Sequence, residues 1–245
     1  MAGKLYGIGV GPGDPELLTI KAAEILKRCG HVFTPIAKEG GASVAFDIAR
    51  RYIPAATPVT HLLFPMIKDK KVLEQQWMAN HRVMEAAARA GQECAFITLG
   101  DSGTYSTFSV VRRYFKRFAP DIEIEAIPGI TSFAYAAARA GMSLVEGNEI
   151  VSVVSANDSL ERLERVIDSS DSVVFLKTYR QREQLLKMLK RRGLSDSCTY
   201  LQKCGLQGER VTRDLDALAQ SPEYLSLVIL KKPRAGNNDT SSEQS

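Results

Sequence analysis

Residues 7–19, GIGVGPGDPELLT, place four glycines and two prolines between a short apolar run and a helix start. Glycine has no Cβ, so it lets the backbone turn sharply and approach a ligand closely. Asp14 can cap the helix that follows, and Pro15 suits the first turn of that helix. The segment therefore predicts a ligand-binding loop, although a tight strand-to-helix turn without a ligand has the same composition.

The spacing of these glycines disfavours two common nucleotide-binding loops. A dinucleotide fingerprint needs glycine at Pro12 or at Asp14, depending on the register. The phosphate loop of nucleotide triphosphatases ends in Gly-Lys-Ser/Thr, whereas this helix opens on Asp14, and an acidic cap repels phosphate. The apolar run at 32–34 does not end in the acidic residue that would hold a ribose hydroxyl in a dinucleotide fold.

A second loop with chemically useful side chains lies at residues 96–107, FITLGDSGTYST. An apolar strand is expected to end at Gly100 and Asp101, and Ser106 or Thr107 to begin the next helix. Asp101 taken alone also fits an ordinary turn aspartate, because Asp often bonds to its own turn.

A third loop, residues 127–133 (IPGITSF), comes after a predicted strand and before a small-residue helix at 134–140. In an open α/β sheet, ligands lie at the carboxyl ends of the strands, so the three loops can face one crevice. Thr131 and Ser132 taken alone also fit an ordinary helix cap.

These loops must be positioned by strands and helices, and apolar runs alternate with helical patterns along the chain. Several runs lack period-two alternation, which is typical of a sheet that is covered on both faces. The predicted strands are residues 4–8, 31–34, 94–99, 122–127, 150–154, 172–176, 199–202 and 225–230, and the predicted helices are 16–28, 43–52, 75–90, 134–140, 160–167 and 181–191. Two α/β units in tandem are the simplest account.

Composition is that of an ordinary globular protein, with 245 residues, 44% apolar and 24% charged. No apolar stretch is long enough to span a bilayer and no signal-peptide core is present, so we expect a cytoplasmic protein without membrane contact. The net charge of +4 is too small to indicate nucleic acid but suits a polyanionic small molecule. The 4 cysteines form no CxxC pair and the 3 histidines are scattered, which predicts neither a metal site nor a disulfide.

Together the three loops resemble the tetrapyrrole methyltransferases, the corrin and porphyrin methylases that use S-adenosylmethionine. The matching segments are residues 7–19, 97–107 (ITLGDSGTYST) and 127–142 (IPGITSFAYAAARAGM). Further segments resemble the branch that methylates C20 of precorrin-2 or cobalt-factor II in cobalamin biosynthesis, namely TPIAKEGGAS at 34–43 and LFPM at 63–66. Ser102 is a departure, because the family often has proline there, and we expect an altered loop that still binds.

The resemblance covers about residues 1–232 and implies the class III S-adenosylmethionine-dependent fold, with two α/β domains and the donor cleft between them. Residues 1–127 would line the tetrapyrrole trough, and residues 128–232 would contribute to the donor site. Residues 233–245 are polar without apolar anchors, which predicts a disordered tail. The implied reaction is C20 methylation of cobalt-factor II, with metal-free precorrin-2 or another tetrapyrrole carbon as alternatives.

By position, the resemblance implies that loop backbone and a few side chains hold S-adenosylmethionine. The implied donor contacts are Pro12, Gly100, Asp101, Thr104, Tyr105, Ser106, Thr131, Ser132, Leu176, Cys204, Ser226 and Leu227. A purely core role is an equal alternative for Leu176 and Leu227.

The expected chemistry needs little from the protein beyond alignment, because a sulfonium methyl is already activated. Tyr105 is the candidate to assist loss of the C20 proton. The substrate is a polycarboxylate, so basic side chains should anchor it by charge-assisted hydrogen bonds, although each is equally a solvated surface charge. The candidate substrate contacts are Lys38, Ser43, Arg50, Arg51 and Lys177.

Cobalt would enter only as part of the substrate, and the family implies a homodimer. Two alternatives from other classes stay open. One is a protein that binds the donor without transferring the methyl, and the other is a nicotinamide oxidoreductase.

Overall fold

The computed structural model describes residues 3–220 and 223–233, which divide into two compact units between Tyr135 and Ala136. Each unit contains its own five-stranded sheet, so the tandem α/β architecture is confirmed. Within the described ranges, no helix combines the length and the apolar character that a bilayer crossing requires. The predicted tail lies outside the described residues apart from Pro233.

The first unit is a fully parallel sheet with the strand order β3-β2-β4-β1-β5. A helix connects each strand to the next, as parallel pairing requires. The strands are β1 Lys4–Gly9, β2 His31–Ile36, β3 Val59–Leu63, β4 Cys94–Thr98 and β5 Glu123–Ile127. The helices are α1 Ile20–Arg28, α2 Val44–Ala49, α3 Lys70–Arg89, α4 Phe108–Phe118 and α5 Ser132–Arg139, of which α5 crosses the division between the units.

Burial of the central strands explains their continuous apolar sequences. All of β4 is buried, and so is all of β1 after Lys4, because helices cover both faces of the sheet. Phe33, Phe96 and Phe115 fill the core between these layers. Phe108 packs so closely on β1 that a Cβ on Gly7 would lie 2.0 Å from its ring.

The structure corrects the predicted start of the first helix. Pro15–Leu17 form a short 3-10 turn, and Asp14 caps that turn by accepting the amide of Glu16 at 2.8 Å. The α-helix begins only at Ile20, where Thr19 Oγ1 accepts the amide of Ala22 at 3.2 Å. Asp14 therefore caps the turn that precedes α1 and not α1 itself.

The second unit is a mixed sheet with the order β6-β7-β10-β8-β9. Only β6 and β7 are parallel, while β10 runs antiparallel to both β7 and β8. The strands are β6 Val151–Ser155, β7 Ser172–Leu176, β8 Cys198–Gln202, β9 Arg210–Thr212 and β10 Ser226–Lys231, and the helices are α6 Leu160–Asp168, α7 Arg182–Arg191 and α8 Asp216–Gln220. The start of β10 therefore lies beside the ends of β7 and β8.

Further elements of this fold differ from the sequence prediction. The short elements β3, β9 and α8 were not predicted, because their few residues carry little periodic signal. The long helix α3 begins at Lys70 and not at residue 75, because Asp69 accepts the amides of Lys71 and Val72 and caps a polar first turn.

The division between the two compact units lies after Tyr135, later in the chain than the 127/128 boundary that the resemblance implies. The amide of Gly129 donates to the Asp101 carboxylate at 3.0 Å, and the amide of Tyr135 donates to the Thr131 carbonyl at 3.2 Å. These bonds keep the loop after β5 and the first turn of α5 with the first unit.

His81 is a buried polar side chain between α3 and α4, with 1% of its surface exposed. Its ring meets Phe115 edge-on with 4.7 Å between ring centroids. Nε2 lies 3.2 Å from Glu85 Oε2, but the two atoms are not aligned for a hydrogen bond. Among the described residues, neither ring nitrogen has a hydrogen-bond partner. Burial lowers the pKa of His81; Glu85 opposes the shift, while Arg89 and Arg82 add to it.

We therefore expect the free energy of unfolding to fall as the pH drops below 6.5, the ordinary pKa of histidine. The unfolded chain then binds a proton at His81 that the folded chain excludes, so this contribution is complete above that pH and is lost below it. Urea unfolding at about pH 7.5 and about pH 5.5 should show a smaller loss for His81→Leu than for the unsubstituted protein. His61→Gln, at an exposed position of the edge strand β3, is the control. An equal fall in the free energy of unfolding in His81→Leu and in the unsubstituted protein would contradict the role given to His81.

Candidate active site

Three loops follow the neighbouring strands β1, β4 and β5 and meet at the carboxyl ends of these strands. Gly11 and Gly100 exchange backbone hydrogen bonds, with N to O distances of 3.1 and 2.7 Å. Both residues have positive φ angles, +82° and +71°, which glycine adopts without strain. The first two loops are therefore joined by a small antiparallel bridge.

The third loop packs against the other two through bare backbone. A Cβ on Gly129 would lie 2.3 Å from the Gly100 carbonyl oxygen and 2.6 Å from that of Gly9. A Cβ on Gly9 would lie 2.6 Å from the same Gly100 oxygen. Glycine is required at positions 9 and 129 because the loops touch each other there, a contact that spacing alone did not predict.

Asp101 bonds to both sides of this junction. One carboxylate oxygen accepts the amide of Gly103 at 2.8 Å and the Thr104 hydroxyl at 3.1 Å. The other oxygen accepts the amide of Gly129 at 3.0 Å. Asp101 therefore orders its own loop and ties it to the loop after β5.

These contacts also set the charge of Asp101. Partial burial by itself raises the pKa of a carboxyl group, but hydrogen bonds from Gly129, Gly103, Thr104 and the Ser102 amide outweigh it, so the pKa of Asp101 is lowered. The side chain is consequently an anion at neutral pH and accepts from several donors at once.

Two serine hydroxyls complete the framework of the second loop. Ser102 is 3% exposed, and its Oγ donates to the Ile127 carbonyl at 2.9 Å, a bond that proline cannot make. Ser106 Oγ lies 3.0 Å from Thr98 Oγ1 and accepts the amide of Phe108 at 3.1 Å at the start of α4. Sequence reasoning noted Ser102 only as a departure, and the buried position of its hydroxyl had no sequence signal.

The remaining predicted donor contacts of the first unit lie at the same junction. Thr104 and Tyr105 are exposed, and Tyr105 has a φ of +50°, which is unusual for a residue with a Cβ. Pro12 is buried in the first loop. Thr131 Oγ1 accepts the amide of Ala134 at 3.3 Å, and Ser132 begins α5.

The residues predicted to contact the methyl donor from the second unit lie together, where β7 and β8 end and β10 begins. Leu176 pairs with Leu227 across β7 and β10, and Ser226 pairs with Gln202 at the end of β8, just before Cys204. Leu227 is 2% exposed, Cys204 6% and Ser226 8%, and the Ser226 hydroxyl lies 2.8 Å from that of Thr178. These residues come from three separate parts of the sequence and are therefore neighbours only in the fold.

The predicted substrate contacts are more scattered. Lys38 is exposed in the loop after β2, at the carboxyl edge of the first sheet, while Lys177 follows β7 in the second unit. Arg50 and Arg51 lie in a short turn after α2, where the Arg51 guanidinium is 4.9 Å from the centroid of the Tyr52 ring.

Ser43, where a helix was predicted to begin, caps α2, so it has a structural role besides its predicted contact with the substrate. It is 5% exposed, its Oγ lies 2.5 Å from Thr34 Oγ1, and it accepts the amide of Phe46 at 3.3 Å. The hydroxyl therefore caps α2 and is held inside the fold.

The three-loop junction offers backbone groups, hydroxyls and one carboxylate. Both oxygens of that carboxylate already accept hydrogen bonds from the protein. Among residues 3–220 and 223–233, no group of three or more His, Cys, Asp or Glu side chains has the arrangement of a metal site. All four cysteines are free and buried.

A sequence profile of the Tetrapyrrole (Corrin/Porphyrin) Methylases matches residues 4–219. The chain therefore belongs to this family of methyltransferases. It is 36% identical over 234 residues to the probable cobalt-precorrin-2 C(20)-methyltransferase of Methanocaldococcus jannaschii, with 94% of this chain and 96% of that protein covered. It is 32% identical to the cobalt-precorrin-2 C(20)-methyltransferase of Salmonella typhimurium, with 95% and 98% covered.

Solved structures share the fold. A cobalt precorrin-4 methyltransferase superposes with a TM-score of 0.71 at 20% identity, covering 93% of this chain and 94% of that one. The uroporphyrin-III C-methyltransferase of Thermus thermophilus, solved with S-adenosyl homocysteine, superposes with a TM-score of 0.66 at 23% identity, covering 94% and 97%.

Substitution Asp101→Asn should loosen the junction. An amide has a single acceptor oxygen, so either Gly129 or Gly103 would face an NH2 group and lose its bond. We expect about 1–3 kcal/mol of lost stability in urea unfolding, and roughly tenfold weaker binding of S-adenosylhomocysteine by calorimetry. Asp196→Asn, at an exposed carboxylate, is the matched control, and equal behaviour of the two variants would refute the role given to Asp101.

Proposed function

We propose that this chain transfers a methyl group from S-adenosylmethionine to C20 of cobalt-factor II, the cobalt-precorrin-2 of cobalamin biosynthesis. The observation that carries the proposal is the similarity over nearly the full length of the chain to two relatives with that named activity. The three-loop junction supports it, because its glycine contacts and Asp101 bonds lie within segments that the resemblance assigns to the donor.

The proposed role of the protein is mainly positional. S-adenosylmethionine supplies an activated methyl group, and alignment with the attacking carbon contributes most of the acceleration. In this proposal Asp101 keeps the loop rigid, while Thr104 and Tyr105, exposed beside it, contact the donor directly. Pro12, Gly100, Ser106, Thr131 and Ser132 form the rest of the donor surface in the first unit, and Leu176, Cys204, Ser226 and Leu227 are the proposed contacts from the second unit.

Substrate carboxylates are proposed to bind basic side chains. Lys38 has the most suitable position, because it is exposed at the carboxyl edge of the first sheet. Arg50, Arg51 and Lys177 are the further candidates. A charge-assisted bond to a carboxylate is stronger than a neutral one, so several such contacts would orient a polycarboxylate firmly.

The cobalt-bearing substrate is favoured over the metal-free one by degree of similarity. The relatives named for cobalt-precorrin-2 are 36% and 32% identical, whereas the precorrin-2 C(20)-methyltransferase of Sinorhizobium sp is 26% identical. Cobalt is therefore proposed as part of the substrate. We further propose that the protein is cytoplasmic and homodimeric, as the family resemblance implies.

Mass spectrometry of the product tests the activity. The protein is incubated with S-adenosylmethionine and either cobalt-factor II or precorrin-2, and the position of any new methyl group is determined by NMR. The proposal requires one added methyl on C20, with faster turnover of the cobalt form. No added methyl on either substrate would overturn the catalytic claim, and binding of S-adenosylhomocysteine without turnover would favour a donor-binding protein.

Tyr105 is proposed to assist removal of the C20 proton, because it is 52% exposed beside the loop junction. We expect Tyr105→Phe to lower kcat about tenfold, because the phenol oxygen can accept the C20 proton while its own proton passes to water, and the phenyl ring keeps the packing. KM for the donor should stay unchanged. Tyr114→Phe on α4 is the control, and an unchanged kcat in Tyr105→Phe would show that the Tyr105 hydroxyl does not assist proton removal.

A further inference from the structure

The turn after β8 carries Cys204 and is unusually constrained. Lys203 has a φ of +51°, in the left-handed region that residues with a Cβ rarely adopt. Its amide donates to the Leu225 carbonyl at 2.7 Å, and its carbonyl accepts the amide of Leu206 at 2.8 Å. Lys177, at the end of β7, also has a left-handed φ, +59°. Such backbone conformations persist only where surrounding contacts determine them.

Glu209 supplies two of those contacts. Its Oε2 accepts the amide of Gly205 at 2.6 Å, and its Oε1 accepts Nε of Arg139 at 2.7 Å. The Glu209 side chain is 15% exposed, whereas that of Arg139 is 59% exposed. The carboxylate therefore lies under the turn, with the arginine holding it from the solvent side.

Cys204 itself is not suited to react. Burial, with a smaller contribution from Glu209, raises the pKa of its thiol to about 12, so it is protonated at neutral pH. A residue in this position acts through its shape and through the backbone groups beside it. The placement of the turn decides what those groups can contact.

We propose that Glu209 is a positioning residue for the donor site, fixing the Lys203–Glu209 turn so that Cys204 and the neighbouring backbone meet S-adenosylmethionine. This inference rests on the proposed function. The ion pair between Arg139 and Glu209 adds little to global stability, because the arginine side chain is largely exposed. The main effect of Glu209 is therefore to order the turn locally.

Glu209→Gln tests the proposal because an amide presents a donor where Arg139 or Gly205 also donates. We expect roughly tenfold weaker binding of S-adenosylhomocysteine by calorimetry. KM for the donor should rise in the same proportion, with kcat at saturating donor nearly unchanged. Without any ligand, alkylation of Cys204 by iodoacetamide, followed by peptide mass spectrometry, should be faster than in the unsubstituted protein. Amide hydrogen exchange in the 203–209 peptide should also be faster, which separates loss of order in the turn from the lower thiol pKa that follows removal of the Glu209 charge.

Matched variants separate positioning from general damage. Glu164→Gln removes a surface ion pair with Arg191 in the same unit and should change neither binding nor alkylation. Arg139→Met leaves the Glu209 bond to Gly205 intact and should have an effect well below that of Glu209→Gln. The buried thiols of Cys29, Cys94 and Cys198 are internal controls for global unfolding.

Three outcomes overturn the inference. The first is unchanged binding of S-adenosylhomocysteine in Glu209→Gln. The second is unchanged amide exchange in the 203–209 peptide, and the third is faster alkylation of all four cysteines together, which indicates general unfolding. If the unsubstituted protein binds no S-adenosylhomocysteine, the proposed function fails, while selective alkylation of Cys204 would still report the local role of Glu209.

Discussion

The carboxylate of Asp101 is the contact on which the arrangement of the candidate site depends. It accepts the amide of Gly129 from the loop after β5 while bonding to Gly103 and Thr104 in its own loop. Glycine at positions 9 and 129 lets the backbones approach until no Cβ fits between them. A charged acceptor with several donors is strong because each bond is charge-assisted. The rest of the first sheet serves to bring these three strand ends together.

The sequence predicted the parts of this site more successfully than their connections. The loops after β1, β4 and β5 were visible as glycine-containing segments between apolar runs and helical patterns. Their contact was not visible, because the Asp101 to Gly129 bond joins residues 28 positions apart and depends on β1 lying between β4 and β5. Short elements such as β3 were not predicted for a different reason. An edge strand with an exposed His61 has little apolar pattern.

In the second unit, too, the sequence did not reveal which distant residues are neighbours. Leu176, Cys204, Ser226 and Leu227 were chosen from resemblance alone, and no periodicity connects them. They are neighbours because β10 runs antiparallel between β7 and β8, which sets its first residues beside the ends of the other two strands. Ser43 illustrates the opposite case, in which a local signal was enough: a helix was predicted to begin there, and Ser43 is the buried cap of α2.

Hydrogen–deuterium exchange with and without S-adenosylhomocysteine tests the central claim most directly, because it reports which backbone amides the ligand orders. The ligand should slow exchange in peptides covering residues 7–13, 98–106 and 127–132 together. Peptides from the opposite, amino-terminal end of the strands, such as residues 115–123, should be unaffected. Protection confined to the amino-terminal end of the strands, or no protection in the three loops at ligand saturation, would contradict the assignment of the loop junction as the donor site.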